Sequence, residues 1–121
     1  MRSIFLFLVV LVLQTGCSQE NKVNNMPITD FKQELLEDAV LVDVRTPEEF
    51  NAGHLENAQN INWFDPNFSE RFKTVDKDKT IYLYCKVGGR SAKAQERLKS
   101  MGFDHVVNLE GGYDAVKAQK K

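Results

Sequence analysis

No charge of one sign dominates the 121 residues, since 16 Lys and Arg stand against 17 Asp and Glu. A chain without a strong field of either sign has no long-range attraction for nucleic acid, so nucleic acid is not expected as a partner. Long hydrophobic runs are missing too. Spanning a bilayer core of about 30 Å takes roughly 20 apolar residues, and the run from Ile4 to Leu13 has ten. Cysteine is scarce: Cys17 and Cys85 allow at most one disulfide. A folded part of roughly 100 residues buries a core without such staples, so one self-sufficient domain is expected.

What stands at the N-terminus is a leader. Arg2 precedes the apolar run, and Gln14, Thr15, Gly16 and Cys17 follow it, which is the order of a signal peptide over residues 1–16. The small Gly16 directly before Cys17 resembles a bacterial lipobox, although Gln14 occupies a place where that pattern prefers an aliphatic residue. That resemblance implies lipid on Cys17 and a membrane as partner through the lipid anchor. The expected location is the bacterial cell envelope, facing the periplasm, with plain secretion as the alternative. Removing residues 1–16 takes away only Arg2 among the charges and leaves a mildly acidic remainder. Residues 17–26 are polar and without apolar period, as in a tether, and the domain is expected over 27–121.

Within that domain strands and helices alternate. Thr29 is placed to cap a helix through Asp38, with Phe31 and Leu35 on one face and Leu36 widening it. Ala39 to Val44 reads as a buried strand. Thr46-Pro47-Glu48-Glu49 starts a second helix, with Thr46 as N-cap, Pro47 at the first helical position and Glu49 closing a capping box. A short strand at 58–61 precedes an aromatic stretch with a helix around Phe68 and Phe72. Thr80 to Tyr84 is strand-like, Ser91 to Met101 helical with Gly102 beyond its end, Val106 to Leu109 a strand, and Tyr113 to Gln119 a helix. The pattern predicts a small α/β domain with a mainly parallel central sheet flanked by helices.

Chemistry concentrates in Cys85-Lys86-Val87-Gly88-Gly89-Arg90-Ser91, between a strand and a helix. Amides of a glycine-containing loop and the positive end of the next helix favour an anion there. Lys86 and Arg90 add positive charge, so a thiolate on Cys85 is favoured over the neutral thiol. A lone cysteine at a strand end is most often a small buried hydrophobe. Here the paired glycines permit close backbone approach, and Arg90 offers a fork for an oxyanion, neither of which packing requires.

The segments Asp43-Val44-Arg45, Glu49-Phe50, Gly53-His54-Leu55, Ala58, Asn60-Ile61, Tyr84-Cys85, Gly88, Arg90-Ser91, Gly102-Phe103, Leu109 and Gly111-Gly112 together resemble the rhodanese-like sulfurtransferases across residues 28–119. The resemblance implies that Cys85 is the nucleophile, that Lys86 to Ser91 form the substrate-binding loop, and that Asp43 and Arg45 support this loop as a salt bridge. It gives His54 a structural role before a general-base one. The implied reaction takes sulfur from a small anionic donor such as thiosulfate to a thiol or cyanide acceptor through a Cys85 persulfide. The implied protein is a monomer with no metal and no organic cofactor. Asn57 stands where the family commonly has Gly, Asn62 replaces a frequent Pro, and Val116 replaces an aromatic residue. Two other readings remain: a persulfide- or protein-binding module with little turnover, and a cysteine-dependent phosphatase. The phosphatase loop has five residues between Cys and Arg, whereas four lie between Cys85 and Arg90.

Overall fold

The computed structural model describes residues 24–120. The expected signal peptide, Cys17 and most of the expected tether lie outside them. Eight regular elements follow in order: β1 (Asn25–Pro27), β2 (Ala39–Asp43), α1 (Pro47–Asn51), β3 (Gln59–Asn60), β4 (Thr80–Tyr84), α2 (Gly89–Ser100), β5 (Val106–Glu110) and α3 (Gly112–Gln119). The strands form one parallel sheet in the order β1-β5-β4-β2-β3. This is the small α/β architecture the alternation predicts.

Side-chain alternation along β4 divides the core in two. Ile81 and Leu83 face one layer, with Val42, Phe72, Ala94, Leu98, Phe103 and Val106. Tyr82 and Tyr84 face the other, with Ile28, Leu41 and Leu109, against which Tyr113, Ala115 and Val116 of α3 pack. A sheet buried on both faces must be apolar on both, which explains the runs Ala39–Val42 and Ile81–Cys85. Val116 thus does apolar duty in the place of the family's aromatic residue.

Two expectations near the start are corrected. Asn25 and Met26, assigned to the tether, pair with Asn108 and Leu109 as an edge strand. The helix from Thr29 to Asp38 is instead two 3₁₀ segments, Ile28–Asp30 and Gln33–Asp38, separated by extended backbone at Phe31 and Lys32. Thr29 caps nothing; Pro27 holds that position. The break turns the Phe31 ring edge-on to Tyr82, at 5.4 Å between centroids. Phe31 and Leu36 reach the core while Leu35 is left exposed, so burial of one aromatic ring overrides the helical spacing. The aromatic stretch likewise forms only a 3₁₀ turn at Ser69–Phe72, with Phe68 and Phe72 buried.

Other local signals hold. Thr46 accepts from the Glu49 amide and Glu49 from the Thr46 amide, closing the capping box with Pro47 in the first turn. Asn57 has φ 67°, the left-handed backbone its family counterpart glycine tolerates. The Asn62 side chain accepts from the Phe64 amide, making a turn where the family often has Pro.

At the carboxyl end of β2 lies a buried ion pair. Arg45 Nη2 meets Asp43 Oδ2 at 2.6 Å, and Arg45 Nε donates to both Asp43 oxygens. Arg45 Nη2 also donates to the Gly53 carbonyl, and the guanidinium lies 4.4 Å from the centre of the Tyr113 ring. One side chain thus joins β2, the segment after α1, and α3. Burial works against the Arg45 charge, and Asp43 more than offsets this, holding the arginine above its ordinary pKa. Asp43→Ala, which strands the arginine charge, is expected to cost about 3 kcal/mol or more. The check is urea unfolding of the variant against the parent, read as a lower midpoint with an unchanged slope.

Candidate active site

β4 delivers Cys85 to the carboxyl edge of the sheet, the edge where open parallel sheets place their ligand crevices. The chain then turns through Lys86, Val87 and Gly88 into α2. Gly88 makes the turn with φ 129°, a conformation that L side chains rarely adopt. That backbone aims the Gly88 amide at Cys85 Sγ, 3.0 Å away. A Cβ at Gly88 or Gly89 would meet nothing within 4 Å, so the space beside the loop is open. Gly88 is required by its backbone angle rather than by crowding.

A second glycine supports the loop from behind. Gly112, φ 63°, lies so close to the backbone of Cys85 and Lys86 that a Cβ there would run into both carbonyl oxygens. Its closeness lets the first turn of α3 hold the loop: the Tyr113 amide donates to Cys85 O at 2.8 Å and the Asp114 amide to Lys86 O at 3.0 Å. The Tyr84 hydroxyl accepts from the Leu55 amide at 3.0 Å and so ties the end of β4 to the segment after α1. Burial pushes that hydroxyl's pKa far up and keeps it neutral.

The thiol itself is 1% exposed. Burial alone would push its pKa up, but the Ser91 hydroxyl and the amides of Ser91, Gly88 and Val87 outweigh it, and the net shift is downward. Ser91 Oγ lies 3.4 Å from Sγ and 3.1 Å from Gly88 O. Its single proton serves one acceptor at a time, and a charged sulfur is the stronger.

The two cations are placed differently from the expectation that both bring charge to the sulfur. Lys86 Nζ pairs with Asp114 Oδ2 at 3.0 Å on the surface. Arg90 forks onto Glu49, with Nη1–Oε1 2.7 Å and Nη2–Oε2 2.9 Å. Arg90 holds Glu49 at a pKa of about 2, and Glu49 in turn raises Arg90, with the Cys85 charge a smaller contribution. These carboxylates come from α1 and α3, whose positions relative to the loop are a property of the fold. Glu49 appears in the sequence as a capping residue and in the family-like Glu49-Phe50 pair, with no sign that it meets Arg90; Asp114 and Gly112 carry no signal of their part in the loop.

Asp43 and Arg45 sit below the loop as a support and do not touch Sγ. His54 is exposed, hydrogen-bonds through Nδ1 to Phe50 O at 2.8 Å, and stacks on the Phe50 ring at 3.7 Å. It closes the end of α1, in keeping with a structural role. Among the described residues no cluster of three or more His, Cys, Asp or Glu is arranged to hold a metal ion.

A family model for the rhodanese-like domain matches residues 28–119, which carry every element from the first 3₁₀ turn through α3. The chain belongs to the rhodanese-like family. The uncharacterized protein YqhL of Bacillus subtilis is 30% identical over 97% of this chain and 94% of its own length. Thiosulfate sulfurtransferase PspE of Escherichia coli is 37% identical over 66% of this chain and 77% of its own length. Other curated relatives are longer: this rhodanese-like chain spans 50% of an Arabidopsis thaliana mitochondrial protein and 18% of a Mycobacterium tuberculosis adenylyltransferase/sulfurtransferase. Among solved structures, SSP1007 of Staphylococcus saprophyticus superposes with a TM-score of 0.66 at 31% identity, over 76% of this chain and 91% of that one. A rhodanese-like domain protein of Staphylococcus aureus gives 0.64 at 34% identity, over 74% and 86%.

In this rhodanese-like domain hydrogen bonds rather than ion pairs lower the pKa of the Cys85 thiol. Alkylation by neutral iodoacetamide is therefore expected to rise through a midpoint below the ordinary thiol value of about 8.5. Ser91→Ala should move that midpoint upward, and by more than Arg90→Ala does, because the arginine is already engaged by Glu49. Measuring the rate from acid to alkaline pH in the three proteins checks the order.

Proposed function

We propose that the protein is a sulfurtransferase that carries a sulfane sulfur on Cys85 as a persulfide, and that lipid on Cys17 holds it at a membrane. The observation that carries the first part is Cys85 Sγ, 3.0 Å from the Gly88 amide, at the base of a glycine loop with open space beside it. Its relatives add support: besides the thiosulfate sulfurtransferase of Escherichia coli, a sulfurtransferase of Allochromatium vinosum is 34% identical over 74% of this chain.

In the first step the Cys85 thiolate attacks the outer sulfur of thiosulfate. A sulfur–sulfur bond forms, the bond to the sulfonate sulfur breaks, and sulfite leaves with the electron pair. In the second, a thiolate or cyanide attacks the outer sulfur of the persulfide, forms its own bond to that atom, and returns the Cys85 thiolate. The amides of Val87, Gly88 and Ser91 stabilise the anionic sulfur in both steps, since they are already aimed at it before charge develops. Lys86 and Arg90 assist an anionic donor only by giving up part of their hold on Asp114 and Glu49. No group beyond the chain's own residues is required, and Asp43 and Arg45 act by supporting the loop.

The four-residue loop from Lys86 to Gly89 makes a smaller cradle than a phosphatase loop and disfavours a tetrahedral phosphoryl group. Thiocyanate formation from thiosulfate and cyanide should fall on the order of a thousandfold or more in Cys85→Ser. Hydrolysis of an aryl phosphate should be absent in the parent. Retained thiocyanate formation in Cys85→Ser would overturn the assignment, and Cys85-dependent phosphate release would establish the phosphatase reading. Loading with no measurable release to any acceptor would identify a binding module.

For the anchor, the supporting observation is the apolar run from Ile4 to Leu13 followed closely by Gly16-Cys17. Cys17→Ser is expected to move the protein from the membrane pellet to the soluble fraction. Undiminished membrane association in that variant would replace lipidation by an uncleaved apolar anchor.

A further inference from the structure

Three large hydrophobic side chains among the described residues are exposed, Leu35, Phe64 and Val87, and two of them stand at the mouth of the cysteine loop. Val87 is 63% exposed and belongs to the loop itself, its own amide being one of the donors to Cys85 Sγ. Phe64 is 65% exposed and lies against Arg90, 5.8 Å from ring centre to guanidinium carbon. Neither side chain is needed by the core, and both leave apolar surface in water beside the one buried nucleophile.

The charges around them are cancelled. Arg90 has its fork on Glu49 and lies near the Phe64 ring, and Lys86 has its ammonium on Asp114. An incoming molecule therefore meets apolar surface and neutralised ion pairs, with the loop amides the free positive ends at the sulfur. Such a rim offers an anionic substituent mainly cations already held by carboxylates, little to offset the loss of its hydration, while an apolar substituent gains by covering Phe64 and Val87. Two side chains are far less than the roughly 800 Å² per partner that a standard protein interface buries. The area fits a small molecule.

We propose that Phe64 and Val87 are specificity residues that select, as sulfur acceptor, a small thiol with an uncharged apolar substituent over thiols bearing a further negative charge. This rests on the persulfide reading and names the acceptor class for it. The acceptor thiolate attacks the outer sulfur of the Cys85 persulfide, forming R–S–SH with the persulfide proton retained, and the Cys85 sulfur leaves as thiolate. Atoms and charge balance without an oxidant or reductant.

The experiment uses protein loaded with inorganic polysulfide and checked by intact mass for one added sulfur. Loss of that sulfur is timed with phenylmethanethiol, 2-mercaptoethanol and 2-mercaptoethanesulfonate, and each rate is referred to the thiolate present and its intrinsic nucleophilicity. The expected order places phenylmethanethiol above 2-mercaptoethanol and the sulfonate last. The ratio of the first rate to the last should fall at least about fivefold in Phe64→Ser, the factor that about 40 Å² of apolar surface withdrawn from water supplies. Phe64→Leu should keep most of the ratio, because it keeps an apolar side chain there. Equal corrected rates in the parent, or a ratio unmoved in Phe64→Ser, would overturn the proposal while leaving the persulfide reading intact. A parent that takes up no sulfur at Cys85 would overturn that reading and this proposal with it.

Discussion

The Asp43–Arg45 ion pair is the constraint on which the rest of the site depends. Taking two charges out of water is costly, and their attraction offsets that cost only when geometry is good and every remaining donor is used. Here the carboxylate accepts from Nε, Nη2 and the Arg45 amide, and Nη2 also donates to Gly53 O. Because the arginine also lies against the rings of Tyr84 and Tyr113, its position fixes three segments at once. Those segments hold the cysteine loop: Tyr84 precedes Cys85, and Tyr113 donates its amide to the Cys85 carbonyl.

Above that support the thiol is governed by dipoles rather than by full charges. Each cation that the sequence places near Cys85 is met by a carboxylate from another helix, and what faces the sulfur is a set of amides and one hydroxyl. Dipoles fixed by the backbone need no reorganisation when charge develops on sulfur, which suits the persulfide cycle proposed for Cys85. The same neutralisation leaves the mouth of the loop with little affinity for anions of its own.

The Glu49–Arg90 contact joins local and distant structure in a single residue. Glu49 closes the capping box of α1 three residues from Thr46, and it holds Arg90 across a separation of 41 residues. With its pKa lowered to about 2, whatever stability the latch contributes is present above the ordinary carboxylate range and is lost only as pH falls through about 2.

How much of this was legible in the chain follows from the range of each interaction. The capping box at Thr46, the left-handed turn at Asn57, the buried runs of β2 and β4, and a cysteine between strand and helix all depend on neighbours within a few residues, so the sequence by itself determined them. The break at Phe31 and the pairing of Asn25 with Asn108 were not legible, because a ring and a strand edge from distant positions had to be present before either was favourable. The pairing of Lys86 with Asp114, 28 residues on, and the close approach of Gly112 to the Cys85 carbonyl belong to the same class. The sequence marked the candidate nucleophile, since backbone amides and a helix start are local. Only the tertiary structure decided which charges reach that residue, because a flexible cation goes to whichever carboxylate the fold brings within its reach.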